Sequence, residues 1–286
     1  MLLPRKYCRS RQLPCTHFVT FLDDFPVGEA ARRANLSFDP AHWPSHPGTG
    51  YPEVMPSNAS QPAVELPNPA LPVSSKVLSI DPAQHSVLEV YKLMTGLIVP
   101  RPVALVSTVD RDGVPNVAPF SFFNGVGSNP PTVLFCPTLR STPADSDGRP
   151  DYRKDTLRNV EQTGEFVINI VSGALAHAAN AAAADVGPEV DEFQLAGLTA
   201  IPSEVVRAPR VAESPAQIEC KLLQIVFTGQ GSGAGVVVIG QIVRLHVAGD
   251  LFENFRIDPA KLDAVGRMAG NTWVRTHDRF ELTRPK

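Results

Sequence analysis

Residues 101–131 read RPVALVSTVDRDGVPNVAPFSFFNGVGSNPP, and no other stretch of the chain restricts its fold as strongly. An apolar run, 103–109, meets Asp110-Arg111-Asp112-Gly113, where Asx residues and a glycine suit a tight reversal with a left-handed position at Gly113. Residues 116–124 then return antiparallel. Pro119 has no N–H to give to a ladder, so the backbone is expected to leave regular pairing near it and to point its polar groups elsewhere. The first expectation is therefore a β-hairpin whose second strand receives something other than a third strand.

Further elements follow from local pattern. Pro130-Pro131 leads into a short apolar strand at 132–136, and the polar stretch 140–151 reads as an exposed loop bordering a site. Asp155 suits the N-cap of a helix over 156–162, which Gly164 ends before a strand at 165–171. An alanine-rich helix is expected over 174–184, a second short helix over 189–196 and a minor strand at Val205-Val206. Two long β-rich runs, 217–228 and 236–247, flank the glycine loop 229–235. A dinucleotide fingerprint needs a helix after its glycines, whereas Val236 to Ile239 continue as strand, so the loop reads as a mobile hairpin tip.

Twelve of the 28 prolines fall before residue 76, and residues 1–75 are expected to be an arm or linker, leaving 76–286 as one domain. The net charge of −3 gives no general attraction to nucleic acid, and no apolar run approaches the roughly 20 residues that span a bilayer. Four cysteines, Cys8, Cys15, Cys136 and Cys220, show no C-x2-C spacing and no dense disulfide framework, which fits a reduced, cytoplasmic setting. Arg5, Lys6, Arg9 and Arg11 precede the first acid, Asp23, so import into an organelle stays open beside a plain basic start. No metal site is expected: His42 and His46 are separated by Pro44 in turn-like surroundings. His177 and His246 read as packed or surface residues, with His246 open to a place near a cofactor, and Cys220 reads as a buried, inert thiol.

Four ordered motifs carry a resemblance. The N-x-A-P-F-S-x-F run from Asn116 with its following Pro-Pro pair is the first, and Lys154-Asp155-Thr156 with Asn159 and the T-G-E-F-V-I-N run from Thr163 is the second. Glu213-Ser214-Pro215 with Glu219-Cys220 is the third, and Val238 to Val243 with Gly266-Arg267-Met268-Ala269-Gly270 is the fourth. In this order they resemble the flavin reductase-like, FMN-binding split-barrel family. The resemblance implies a mainly β fold with peripheral helices: a six-stranded antiparallel Greek-key barrel split at one side, in a homodimer with FMN near the subunit boundary.

It also implies a site. Lys154, Thr156 and the amides at a helix start, that of Asp155 among them, would take the FMN phosphate, with Asn159 and Arg158 one turn along. The same residues suit a plain helix cap with a solvated Lys154. Ser107, Thr108, Asn116, Val117, Ala118, Pro119 and Ser121 would meet the polar edge of the ring. Phe120, Phe122 and Phe123 would offer an apolar wall, with alternation placing the first two on one face. Residues 267–273 would close over the flavin, and Arg267 would compensate charge on the reduced ring. The implied activity is hydride transfer from NADH or NADPH to flavin, with reduced flavin serving a partner oxygenase or another acceptor. Two alternatives stand beside it: a flavin-binding sensor, storage module or partner subunit, and an FMN enzyme acting on a specific small molecule.

Overall fold

The computed structural model describes residues 77–285 apart from 142, 143, 147, 148, 185, 188 and 189. Residues 1–75, read from the sequence as an arm or linker and holding Cys8, Cys15, His42 and His46, lie outside the described residues.

Strands β1 (Ala104–Val109) and β2 (Pro115–Phe120) form the expected hairpin, paired from Val109↔Pro115 to Ala104↔Phe120. Asp110 builds the reversal, its carboxylate accepting from the amides of Asp112 at 2.9 Å and Val114 at 2.8 Å, while Gly113 sits at φ 91°. Contrary to expectation, pairing runs through Pro119 and ends only after Phe120. The reason is position: β2 is an edge strand, where a residue without N–H is tolerated.

The chain then turns a corner at Ser121 and Phe122 and enters β3 (Phe123–Ser128), which pairs with β4 (Pro131–Phe135). Strand β5 is Glu165–Ile170, and the long hairpin consists of β6 (Ala216–Phe227) and β7 (Val236–Val247). The sheet order is β2-β1-β5-β6-β7-β4-β3, antiparallel throughout. Its two edge strands are consecutive in the chain, so the sheet curls until they face each other across a split that the corner bridges. Ring contacts run around the inside: Phe120 lies 5.1 Å from Phe135, and Phe135 lies 5.2 Å from Phe166. This is a mainly β split barrel, with seven strands in the sheet where six were expected. The glycine loop 229–235 is a hairpin tip, tied on one side by bonds between Leu139 and the backbone of Gly233 and Ala234.

Alternation sends Ala104 and Val106 of β1 into the barrel and Leu105 and Ser107 outward. On β7, Gly240 faces the Phe166 ring so closely that a Cβ there would collide with it, so the glycine makes room for one of the largest side chains of the core.

Helices close the ends and the outer face. Helix α1 (Val87–Leu97) opens with a Ser86/Glu89 capping box. Helix α2 (Asp155–Thr163) turns Leu157 and Val160 into the barrel core and ends at Gly164, at φ 70°. Asp155 is its first residue rather than its N-cap; Lys154 holds the N-cap place and makes no side-chain capping bond. Two helices, α3 (Ala176–Ala181) and α4 (Glu192–Leu195), are shorter than their composition suggests and cover Leu105 and Val117 on the outer face. Two other expectations change. Val205 and Val206 form no strand because their amides donate to a buried carboxylate, and the 140–151 loop folds back as a small hairpin, Ala144–Ser146 with Arg149–Asp151. Among the described residues no helix is long and apolar enough to cross a membrane.

Candidate functional site

The site begins with ladder parity. Thr108 and Asn116 face each other across β1 and β2 and point toward the barrel mouth, where α2 docks. Thr156 Oγ1 donates to Asn116 Oδ1 at 2.9 Å, and Thr108 Oγ1 donates to the same oxygen at 3.3 Å. Asn159 Nδ2 donates to Thr108 Oγ1 at 3.1 Å, and Asn116 Nδ2 donates to Glu192 Oε1 at 2.7 Å. All five residues are buried. Four predicted site residues thus meet in one hydrogen-bonded knot that fixes helix to hairpin, and the Asn159 amide is engaged by Thr108.

Glu192 is the member that sequence reasoning missed; an acid in a short surface-like helix gives no sign of a partner 76 residues away. Burial pushes its carboxyl above the usual range, and the negative Asp155 adds to this. A raised carboxyl makes the native state bind protons more readily than the unfolded chain. Stability therefore falls as pH rises from about 4.3, the ordinary glutamate value, through the folded value. Glu192→Gln keeps the acceptor for Asn116 without the charge. Its melting temperature is expected to exceed that of the wild type at pH 8 and to match it at pH 4; scans at both pH values check this.

At the start of α2, charge is dense. Arg140 Nη2 meets Asp155 Oδ2 at 2.5 Å, and Arg158 pairs with the other oxygen of Asp155. Arg153 bridges Asp151 at 2.9 Å and Glu161 at 2.6 Å. Lys154 stands at the same helix start, beside first-turn amides that no side chain caps.

The corner 119–123 lies between two cations. Lys154 Nζ stands 6.0 Å from the Phe120 ring on one side, and the Arg101 guanidinium stands 5.9 Å from the Phe122 ring on the other. The corner also breaks the expected alternation: Phe120 and Phe123 both turn to the barrel core, leaving Phe122 beside Arg101. Ala118, Pro119 and Ser121 are partly exposed here. Arg267 is the ladder partner of Arg101; it stacks 4.8 Å over Trp273 and donates to Gly270 O at 2.7 Å.

Ser107 and Val117 stand apart, facing away from the mouth with no exposed side-chain surface. Ser107 belongs to a polar ladder on the outer face. It donates to Pro209 O at 2.5 Å and accepts from Asn169 at 3.0 Å, and Asn169 Oδ1 takes the Val211 amide at 2.8 Å. Gln217 donates to Val211 O and Ser214 O. Glu219, fully buried, accepts the amides of Glu204, Val205 and Val206 at 2.7 to 3.0 Å and meets His246 at 2.6 Å. Four adjacent strands thus hold one outer segment, 202–214, and His246 serves this ladder. Cys220 is fully buried in the barrel, which pushes its thiol up and makes it unreactive, as expected.

The donor set fits a phosphate-bearing flavin: an uncapped helix start with a lysine, a hydroxyl-bearing corner, and arginines on the far side. Comparison with known proteins agrees with this chemistry. Residues 95–268 match the model of the flavin reductase like domain. Component B of nitrilotriacetate monooxygenase from Bacillus cereus is 39% identical in sequence, with a TM-score of 0.67 over 73% of this chain and 100% of that one. The 2-nitrobenzoate 2-nitroreductase from Pseudomonas fluorescens is 29% identical, with a TM-score of 0.62 over 73% and 96%. Flavoredoxin of Desulfovibrio vulgaris (Miyazaki F) is 27% identical, with a TM-score of 0.54 over 65% and 91%. The chain belongs to the flavin reductase-like family, and it is a flavin-dependent oxidoreductase with a split-barrel fold.

Proposed function

We propose that this protein binds FMN along the corner 119–123 and reduces it with NADH or NADPH, supplying reduced flavin to a partner oxygenase or another acceptor. The observation that carries this reading is the corner flanked by Lys154 on one side and by Arg101 and Arg267 on the other. Bound flavin supplies the acceptor for a hydride that leaves the nicotinamide with both electrons. Lys154 and the first α2 amides hold the phosphate; Asn116, Thr156, Thr108 and Asn159 fix the distance between that anchor and the corner; Ser121 and the backbone of residues 116–119 meet the ring edge. Transfer of this kind depends on orientation rather than on a side-chain acid or base.

A homodimer fits the surface. Val87, Leu88, Tyr91 and Leu97 of α1 are all exposed, an apolar face that a second copy would cover. The oxygenase partner is favoured by the kinship with a monooxygenase component B. A second reading, direct action on a small molecule, is favoured by the nitroreductase relative and by the small hairpin Ala144–Ser146 with Arg149–Asp151, which leads into the charged start of α2.

Anaerobic stopped-flow mixing of the FMN-loaded protein with each nucleotide tests the leading reading. Rapid bleaching of the flavin absorption is the expected result and identifies the donor. A bound flavin that neither nucleotide bleaches overturns the reductase and leaves a sensor, a storage module or an enzyme with another reductant.

A further inference from the structure

Among the described residues Arg101 is the one buried arginine or lysine. Its side chain is 5% exposed, and each of its bonds goes to a neutral group: Nη1 to Thr95 O at 2.7 Å and Ile98 O at 2.6 Å, Nη2 to Met268 O at 3.0 Å, and Nε to Ser121 Oγ at 3.4 Å. Among the described residues no carboxylate pairs with it; the ionisable groups that act on it are Tyr91 and a second cation, Arg267. The carbonyls at the end of α1 satisfy its N–H groups, and the negative end of that helix offsets part of its charge without supplying a full counter-ion. Burial in turn pulls its pKa down, the mark of a desolvated cation. A unit charge in such a place acts far more strongly on its neighbours than one in water.

A buried cation without a counter-ion is costly, and such a cost persists where function uses the charge. The Arg101 guanidinium sits directly behind Ser121 and beside Phe122, and it also ties the α1 end and the 268 loop to the barrel split. We infer that Arg101 is a positioning and electrostatic residue whose charge, paired with no carboxylate, stabilises the two-electron reduced flavin at the corner and sets its potential. This rests on the FMN reading above. Two electrons and one proton enter the ring on reduction and leave it with one negative charge; Arg101 supplies the opposite charge, with Arg267 as the more exposed second cation.

The test is the midpoint potential of FMN bound to the full chain, measured over pH for the wild type, Arg101→Lys, Arg101→Gln and Arg267→Gln. Arg101→Gln is expected to weaken the reduced form relative to the oxidised form about tenfold, a fall of roughly 30 mV for a two-electron couple. Arg101→Lys keeps the charge but loses the fork, so it is expected to lose thermal stability while its potential stays near that of the wild type. Arg267→Gln is expected to move the potential less than Arg101→Gln. The wild type alone gives a second readout. Its potential is expected to follow one proton per two electrons, about 30 mV per pH unit, to lower pH than free FMN does. Equal potentials in wild type and Arg101→Gln, or a wild-type slope that breaks where free FMN breaks, overturn the role of Arg101. A wild type that binds no flavin overturns the underlying reading instead.

Discussion

Glu219→Ala is expected to be the most destabilising single change considered, lowering stability by about 3–5 kcal/mol. The carboxylate is fully buried and serves four donors: the amides of Glu204, Val205 and Val206, and His246. Alanine leaves three amides without acceptors and releases the segment that crosses the outer sheet. For a domain of this size the loss corresponds to a fall of roughly 10 °C in melting temperature. Glu219→Gln is expected to fall between the two, because its one carbonyl can take the Val205 and Val206 amides where Oε2 stood, while its NH2 faces the Glu204 amide. The wild type carries its own pH signature. Burial would raise the Glu219 carboxyl, but the amide and His246 bonds outweigh it and hold it below the usual range. Its stabilising effect is thus complete above about 4.3 and is lost as pH falls through the folded value. Scans between pH 7 and pH 3 should show this loss in the wild type and a flatter profile in Glu219→Ala. Equal melting temperatures for all three proteins at pH 7 would refute the role.

The same residue shows what the sequence reveals and what it hides. Strand period, the Asx-Gly reversal at Asp110 and Gly113 and the long β6–β7 hairpin are local signals, and each was legible. The motif residues were legible as a set but not as individuals. Asn169 and Glu219 lie in the quoted motifs, yet their partners are backbone groups of 204–211, which no pattern announces. Parity separates Thr108 from Ser107 and Asn116 from Val117, and it could have been applied to the sequence to set Ser107 and Val117 apart from the mouth. Other outcomes depend on tertiary position. Pro119 stays in the ladder because β2 is an edge, and Phe122 leaves the core because the chain turns there. Arg101 reads as an ordinary basic residue before a proline, and its burial between α1 and the 268 loop is a contact across 167 positions.

Lys154→Ala is expected to weaken FMN about 10- to 150-fold, the loss of one charge-assisted contact worth about 1.5–3 kcal/mol, and to leave riboflavin nearly unchanged. The difference isolates the phosphate, because the two ligands share the ring. The place of Lys154 at the helix start argues that it carries the contact. Arg158 and Arg140 are both held by Asp155, and Arg153 is held by Asp151 and Glu161, so a phosphate would have to displace a carboxylate to recruit any of them. Lys154 occupies the N-cap place itself, beside first-turn amides that no side chain caps, with its ammonium over the Phe120 ring. Lys154→Arg keeps the charge and should retain most of the preference for FMN over riboflavin. Added salt should weaken FMN binding more in the wild type than in Lys154→Ala, because the lost interaction is the screened one. Titrations of both ligands at two salt concentrations check each point. Equal losses for FMN and riboflavin in Lys154→Ala would instead place Lys154 against the ring, as its approach to Phe120 allows, and move the phosphate to the Arg101 and Arg267 side of the corner.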